Sequence, residues 1–239
     1  MATDGGRTDV EAARDGLVAR GLGLQTSSGW VFRGVDLEVP SGALGLVTGP
    51  AGCGKTALLL TLAARMRPTA GALLLGDCDA VAQPRRARHL VGLGETAGVN
   101  ELDPTLTVAT QTATDLAMHG LPSHGADVQD VPGAVDLRVA HHSRVDELAA
   151  ADRLLLGVAL GLIGHPPFLM VDDLHEDLTP DERRLVMIRL RDVAVSGVTV
   201  VAGSLDPALA ADADIVLTLP GTPPTSALDE SEEVVYALA

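Results

Sequence analysis

Along this chain, apolar runs of strand length alternate with stretches of helical period. Val31 to Val39 alternates apolar and polar residues, the period of a strand with one face in water. Ala43 to Thr48 is a run of buried-strand type that stops at a glycine-rich loop. Thr56 to Met66 predicts a helix, Gly71 to Leu75 another strand, and Leu106 to His119 a second helix. Ala150 to Ile163 reads as a buried helix, followed by a short apolar strand at Phe168 to Val171. Val198 to Ala202 and Ile215 to Leu219 predict two more strands. Thr179-Pro180-Asp181-Glu182 is a helix start, with Thr at the N-cap, proline at the first helical position and glutamate at the third.

These elements predict an α/β fold, mixed β structure flanked by helices. Gly120 to Ser143 is rich in Gly, Pro, His and Asp and weakly periodic, which predicts loops and short helices in a small subdomain. Residues 1–16 and 220–239 are expected to be flexible tails, the second of them acidic. The chain has no internal repeat.

Composition narrows the function classes. An apolar fraction of 46% is ample for a core, but aromatics are only 2%, so that core must be built of Ala, Val and Leu. The formal charge of −15 speaks against a nucleic-acid partner, whose phosphates need a basic face. Cys53 and Cys78 are too few for a disulfide framework and read as reduced thiols of a cytosolic protein. The first sixteen residues are polar and acidic rather than leader-like. The most apolar stretch, Leu154 to Gly164, is too short to cross a bilayer and runs into His165, Pro166 and Pro167. A link to a membrane is therefore expected to run through a partner.

The candidate chemistry begins at GPAGCGKT. Gly49, Gly54, Lys55 and Thr56 fit the G-x-x-x-x-G-K-[ST] spacing, with Gly52 as an extra glycine and Pro50, Ala51 and Cys53 between. A strand precedes this loop and a helix follows it. Glycines let the backbone wrap a phosphate, and successive N–H groups at the positive helix end bind the anion. Lys55 would reach the β- and γ-phosphates of ATP, and the Thr56 hydroxyl would coordinate Mg²⁺. Lys55 is also the only lysine of the chain; the other sixteen of its 17 basic residues are arginines. A compact ammonium in a background of planar guanidiniums points to a specific role. A second strand must supply a carboxylate to hold Mg²⁺ through water, and Phe168 to Val171 ends in Asp172. Asp173 follows, placed to orient a water or act as a base.

At these residues the sequence resembles the nucleotide-binding subunit of ATP-binding-cassette (ABC) transporters, over roughly 17–219. The block VDELAAADRLLLGVALGLIGHPPFLMVDD resembles the family's run from signature motif through a helix to the acidic strand. LDPTLTV resembles the opening of the family's helical subdomain, here about 103–163. GVTVVAGSLDPALAADADIVLTL resembles the segment carrying the switch histidine, and VFRGVDLEVPSG the strand pair before the phosphate loop. The resemblance implies a P-loop NTPase fold of ABC type: a mixed β core, an antiparallel β portion and a helical subdomain. It implies ATP and Mg²⁺ as cofactors, head-to-tail pairing with an identical or different ABC subunit, and an integral-membrane permease as partner on the inner face of the membrane.

Several positions depart from that pattern. Where the signature is usually LSGGQ, the chain has Leu148-Ala149-Ala150-Ala151-Asp152. Ala149 lacks the hydroxyl, Ala150 and Ala151 add β-carbons, and Asp152 brings negative charge near a phosphate. Asp173 stands where Glu is usual, and Leu205 at the switch histidine. The Mg²⁺-sensing glutamine falls at Glu95 or Thr96, and the acidic D-loop position at Thr179. Trp30 is the nearest aromatic for stacking adenine but reads better as a packing residue. His141 and His142 lack acid or cysteine partners at zinc spacing. His175 is assigned no role. Binding of Mg-ATP is thus expected with hydrolysis weak or dependent on a partner subunit. The alternatives are a non-hydrolysing regulatory module of ABC fold and, more remotely, an unrelated P-loop enzyme such as a small-molecule kinase.

Overall fold

The computed structural model describes residues 16–172, 174 and 177–221. The two expected tails lie almost wholly outside these residues.

The strands form two sheets. β1 (Leu17–Thr26) and β2 (Gly29–Val39) make an antiparallel hairpin, and β4 (Ala70–Leu75) and β5 (Cys78–Asp79) extend it in the order β2-β1-β4-β5. The second sheet is wholly parallel, with β6 (Val91–Leu93), β7 (Phe168–Val171), β8 (Thr199–Ser204), β3 (Leu44–Thr48) and β9 (Ile215–Thr218) in the order β6-β7-β8-β3-β9. The mixed β structure expected from the pattern therefore divides into one sheet of each kind.

The parallel sheet is the middle layer, and side-chain alternation shows why. Leu44, Leu46, Leu169, Val171, Val200 and Ala202 face a helical layer. Val47, Phe168, Met170, Val201 and Leu217 face the antiparallel sheet and helix α1 (Lys55–Leu62). A strand covered on both faces is apolar along most of its length, and β3, β7 and β8 are buried throughout, with polar residues only at the strand ends, Thr48, Thr199 and Ser204.

The helical layer holds α3 (Val108–Met118), α5 (Ala150–Gly161) and α6 (Pro180–Val195), while α2 (Pro84–Leu90) leads into β6 and the short α4 (Ala126–Asp130) precedes a 3-10 turn. α3 is capped by Thr107, whose hydroxyl accepts the Thr110 N–H. Its next donors, Val108 and Ala109, bond Ser143 O and His141 O, which pins the segment before α5 to the start of α3. α6 carries the full reciprocal cap: Thr179 Oγ1 accepts the Glu182 N–H at 3.3 Å, and the Glu182 carboxylate accepts the Thr179 N–H at 2.8 Å. The helix expected from Thr56 to Met66 ends early, at Leu62. Ala64 turns left-handed (φ 53°), and Arg65 and Met66 both donate back to Leu60 O. Pro68 lies just beyond and cannot continue a helix.

Candidate nucleotide site

Parallel strands end on one edge, so β3, β7 and β8 deliver their next residues to the same place. Thr48 pairs with Ser204, and Val171 with Ala202. The loop after Thr48, Asp172 after Val171 and Leu205 after Ser204 therefore gather at that edge.

The loop from Gly49 to Gly54 turns on glycines at positive φ: Gly49 at 147°, Gly52 at 76° and Gly54 at 95°. Two of them are also close-packed. A β-carbon on Gly49 would lie 2.7 Å from Leu219 O, and one on Gly54 would lie 3.0 Å from Val31 O. The loop is thus wedged between β2 and the residue after β9. Lys55 is only 7% exposed, and its ammonium donates to Gly49 O at 2.9 Å and Pro50 O at 3.0 Å. The loop closes around its own lysine.

Helix α1 then begins with Gly54 as N-cap, no side-chain cap and no acid in the first turn. Its first N–H groups have no intrahelical acceptor. Neutral, uncapped and glycine-led, this end suits an anion. Thr56 is exposed in the first turn, and its hydroxyl bonds no described residue. A phosphate fits the loop and helix end, and Thr56 and Asp172 are the oxygen ligands Mg²⁺ prefers.

Asp172 is buried, 3% exposed. Its Oδ1 is 2.8 Å from where a β-carbon on Gly203 would sit, and Leu59 Cδ1 of α1 is 2.9 Å from the same point. Gly203 therefore lets the Asp172 carboxylate and α1 converge. Asp173 and His175 lie outside the described residues.

Other expected positions resolve differently. Ala149 is the N-cap of α5, without a side-chain hydrogen bond. Burial, then the charge of Glu182, pushes the Asp152 carboxyl above its usual range. Thr96 is buried, with its hydroxyl donated to Gly94 O at 3.1 Å. Glu95 accepts Arg153 Nε at 3.0 Å and the Leu102 N–H at 3.2 Å, tying the loop after β6 to the first turn of α5. Gly157 makes room for this: a β-carbon there would meet Glu95 N at 2.8 Å. Leu205 is half-buried, and its flanking residues are engaged in structure. Ser204 Oγ accepts the Asp206 N–H, and Asp206 accepts the Ala208 N–H and Arg183. Those two contacts, the Ala208 N–H first, hold the Asp206 carboxyl low. The Trp30 ring edge covers Gly23, Arg33 lies 5.3 Å over its face, and the adjoining Val31 packs on Gly54 of the loop.

Sequence reasoning missed Gly203, the Glu95–Arg153 pair and the Val31 contact with Gly54. A glycine inside a buried strand marks close approach of something else, so Gly203 had a signal. The pair spans 58 residues and had none.

A phosphate-fitting loop after β3, an uncapped helix and an acid at the end of β7, one strand further across the sheet, define a P-loop nucleotide-binding fold. The chain belongs to the ABC transporter family, whose profile matches residues 32–175. Nod factor export ATP-binding protein I of Burkholderia thailandensis is 30% identical over 173 residues, 71% of this chain and 56% of the relative. Taurine import ATP-binding protein TauB of Burkholderia pseudomallei is 28% identical over 191 residues, 78% of this chain and 71% of the relative. The chain thus spans little more than half of the exporter relative and most of the importer relative. A dimeric bacterial ABC transporter cassette superposes with a TM-score of 0.72 at 17% identity, over 85% of this chain and 94% of that one. A dimeric post-hydrolysis cassette bound to ADP and Pi gives 0.71 at the same identity and coverage. These two likenesses carry the fold.

Proposed function

We propose that this chain binds Mg-ATP at Gly49–Thr56 and couples that binding to an integral-membrane permease. The carrying observation is the phosphate loop wrapped around Lys55 at an uncapped helix end. Gly49, Pro50, Ala51, Gly52, Cys53 and Gly54 line the phosphates with backbone, and Lys55 exchanges loop carbonyls for phosphate oxygens. Thr56 and Asp172 hold Mg²⁺, which neutralises phosphate charge when bound. Asp173 is the carboxylate that orients water, a role assigned on sequence alone.

Among the described residues no helix is long and apolar enough to cross a membrane; the reading assigns membrane attachment to the permease. The names of the export and import relatives support a transporter role without fixing a direction. Pairing with an identical or different ABC subunit is supported by the dimeric structural neighbours. Hydrolysis is slow or needs that partner, because Ala149 offers no hydroxyl and Leu205 no proton-bearing nitrogen. The same two residues favour the second reading, a regulatory module that binds ATP without cleaving it.

The test is Mg-ATP binding and turnover by the purified chain against Lys55→Ala. Lys55-dependent turnover establishes an ATPase acting alone. Lys55-dependent binding without turnover establishes a module or half-site, which Leu205→His in an assembled complex then separates. Equal ATP binding by both proteins sinks the proposal.

A further inference from the structure

Helix α6 is apolar on two sides. Val186, Met187, Leu190, Val193 and Ala194 are buried against the rest of the domain. Leu185, Ile188 and Val195 are 43%, 56% and 79% exposed. At about 3.6 residues per turn, these three fall on one line down the outer face of the helix, with Asp192 between Ile188 and Val195. The other large apolar side chains exposed among the described residues, Leu74, Val99, Met118 and Leu121, lie on other elements. A helix apolar on both sides is ordinarily covered on both, and an exposed apolar stripe marks a contact surface. Arg184 and Arg191 stand one heptad apart along one edge of the stripe. Arg184 reaches Asp181 at 3.7 Å with both side chains exposed, and Arg191 holds Asp214 at 3.0 Å.

The sequence beyond Gly221, outside the described residues, carries a complementary pattern. It has the acids Asp229, Glu230, Glu232 and Glu233 and no base, followed by the apolar run Val234-Val235-Tyr236-Ala237-Leu238. Tyr236 is the one tyrosine of a chain with 2% aromatics. A purely solvated segment has no use for such a run. The segment is also within reach. Arg191 ties α6 to Asp214, and Gly221 follows Asp214 by seven residues, so it lies within about 25 Å of that contact. Glu230 is nine residues further on, a span of up to about 30 Å, and α6 itself is about 24 Å long.

We propose that residues 229–238 bind the outer face of α6 in the same molecule, with Val234 to Leu238 on the Leu185–Ile188–Val195 stripe and the acids toward Arg184 and Arg191. A tether of this length holds the segment at an effective concentration on the order of millimolar, so a stripe of three apolar side chains suffices where a free partner would need more. The acids fix which edge of the stripe the segment follows, since Asp192 on the other edge repels them. While bound, the segment hides the stripe from other proteins.

The experiment is amide NMR of the full chain with a nitroxide on Ala239→Cys; Cys53 and Cys78 are buried and react last. The signals of Leu185, Ile188, Asp192 and Val195 should lose most of their intensity to the nitroxide, while those of β1 keep theirs. Leu185→Lys/Ile188→Lys should restore the signals of Asp192 and Val195. Leu74→Lys, at an exposed apolar residue of β4, should leave the loss in place. Glu232→Gln/Glu233→Gln should restore part of the intensity, as should added salt. Even broadening over the whole surface, or a loss on α6 that Leu185→Lys/Ile188→Lys does not change, overturns the proposal. So does an equal loss when nitroxide-bearing chain is mixed with isotope-labelled chain that carries none, which assigns the stripe to a second copy. The samples contain no nucleotide, so the outcome stands apart from the reading of the phosphate loop.

Discussion

Asp172 and Gly203 are neighbours across β7 and β8, with the Asp172 carboxylate filling the space a β-carbon on Gly203 would need, 2.8 Å from its Oδ1. Gly203→Ala must displace both that carboxylate and Leu59 Cδ1, which would lie 2.8 and 2.9 Å from the new β-carbon. Overpacking of this kind costs about 1–3 kcal/mol. Urea unfolding should show that loss. ATP affinity should fall more with Mg²⁺ present than with a chelator. An equal fall in both would mean Asp172 does not serve the metal.

Asp152 predicts a pH dependence. Its carboxyl is raised, by burial first and by Glu182 second. The folded state thus holds the proton longer than the unfolded one. Stability must then fall as pH rises from the ordinary carboxylate value through the raised one, and stay lower above it. Asp152→Asn should raise the melting temperature at neutral pH and give no gain below about pH 4. A gain independent of pH would show that charge is not the cause.

The Glu95–Arg153 pair is partly buried, with side chains 19% and 37% exposed. A double-mutant cycle with Glu95→Gln and Arg153→Met should give a coupling of about 1 kcal/mol. Arg153→Met should also speed hydrogen exchange at the first turn of α5. No change in exchange there would show that the pair does not hold the helix.

Thr179→Ala should cost about 1 kcal/mol of stability, since it removes an N-cap with its reciprocal glutamate. Thr179→Asp should recover most of it, and a failure to recover would mean the hydroxyl is needed for more than capping.

What could be read ahead of the structure follows physical lines. β3, β7 and β8 announced themselves as unbroken apolar runs because both faces are covered. The phosphate loop and the α6 cap are dictated by short-range geometry and stood out for that reason. β1 did not, because Arg20, Gly21 and Gly23 interrupt its alternation, and Gly21 sits at φ 56° where the register shifts. α2 buries only Ala87 and shows no apolar stripe. Which of Glu95 and Thr96 reaches outward depends on Arg153, a partner remote in sequence.

The alternation along the middle sheet has a further consequence. A one-residue slip of β3, β7 or β8 would exchange the contents of both interiors at once, so each strand's position is fixed from two sides. The residues just past the strand ends inherit that positional accuracy while contributing little to it. Leu205 is such a residue. The wall can therefore tolerate changes of chemistry along its rim, and a working site can be gained or lost there without the architecture registering the difference.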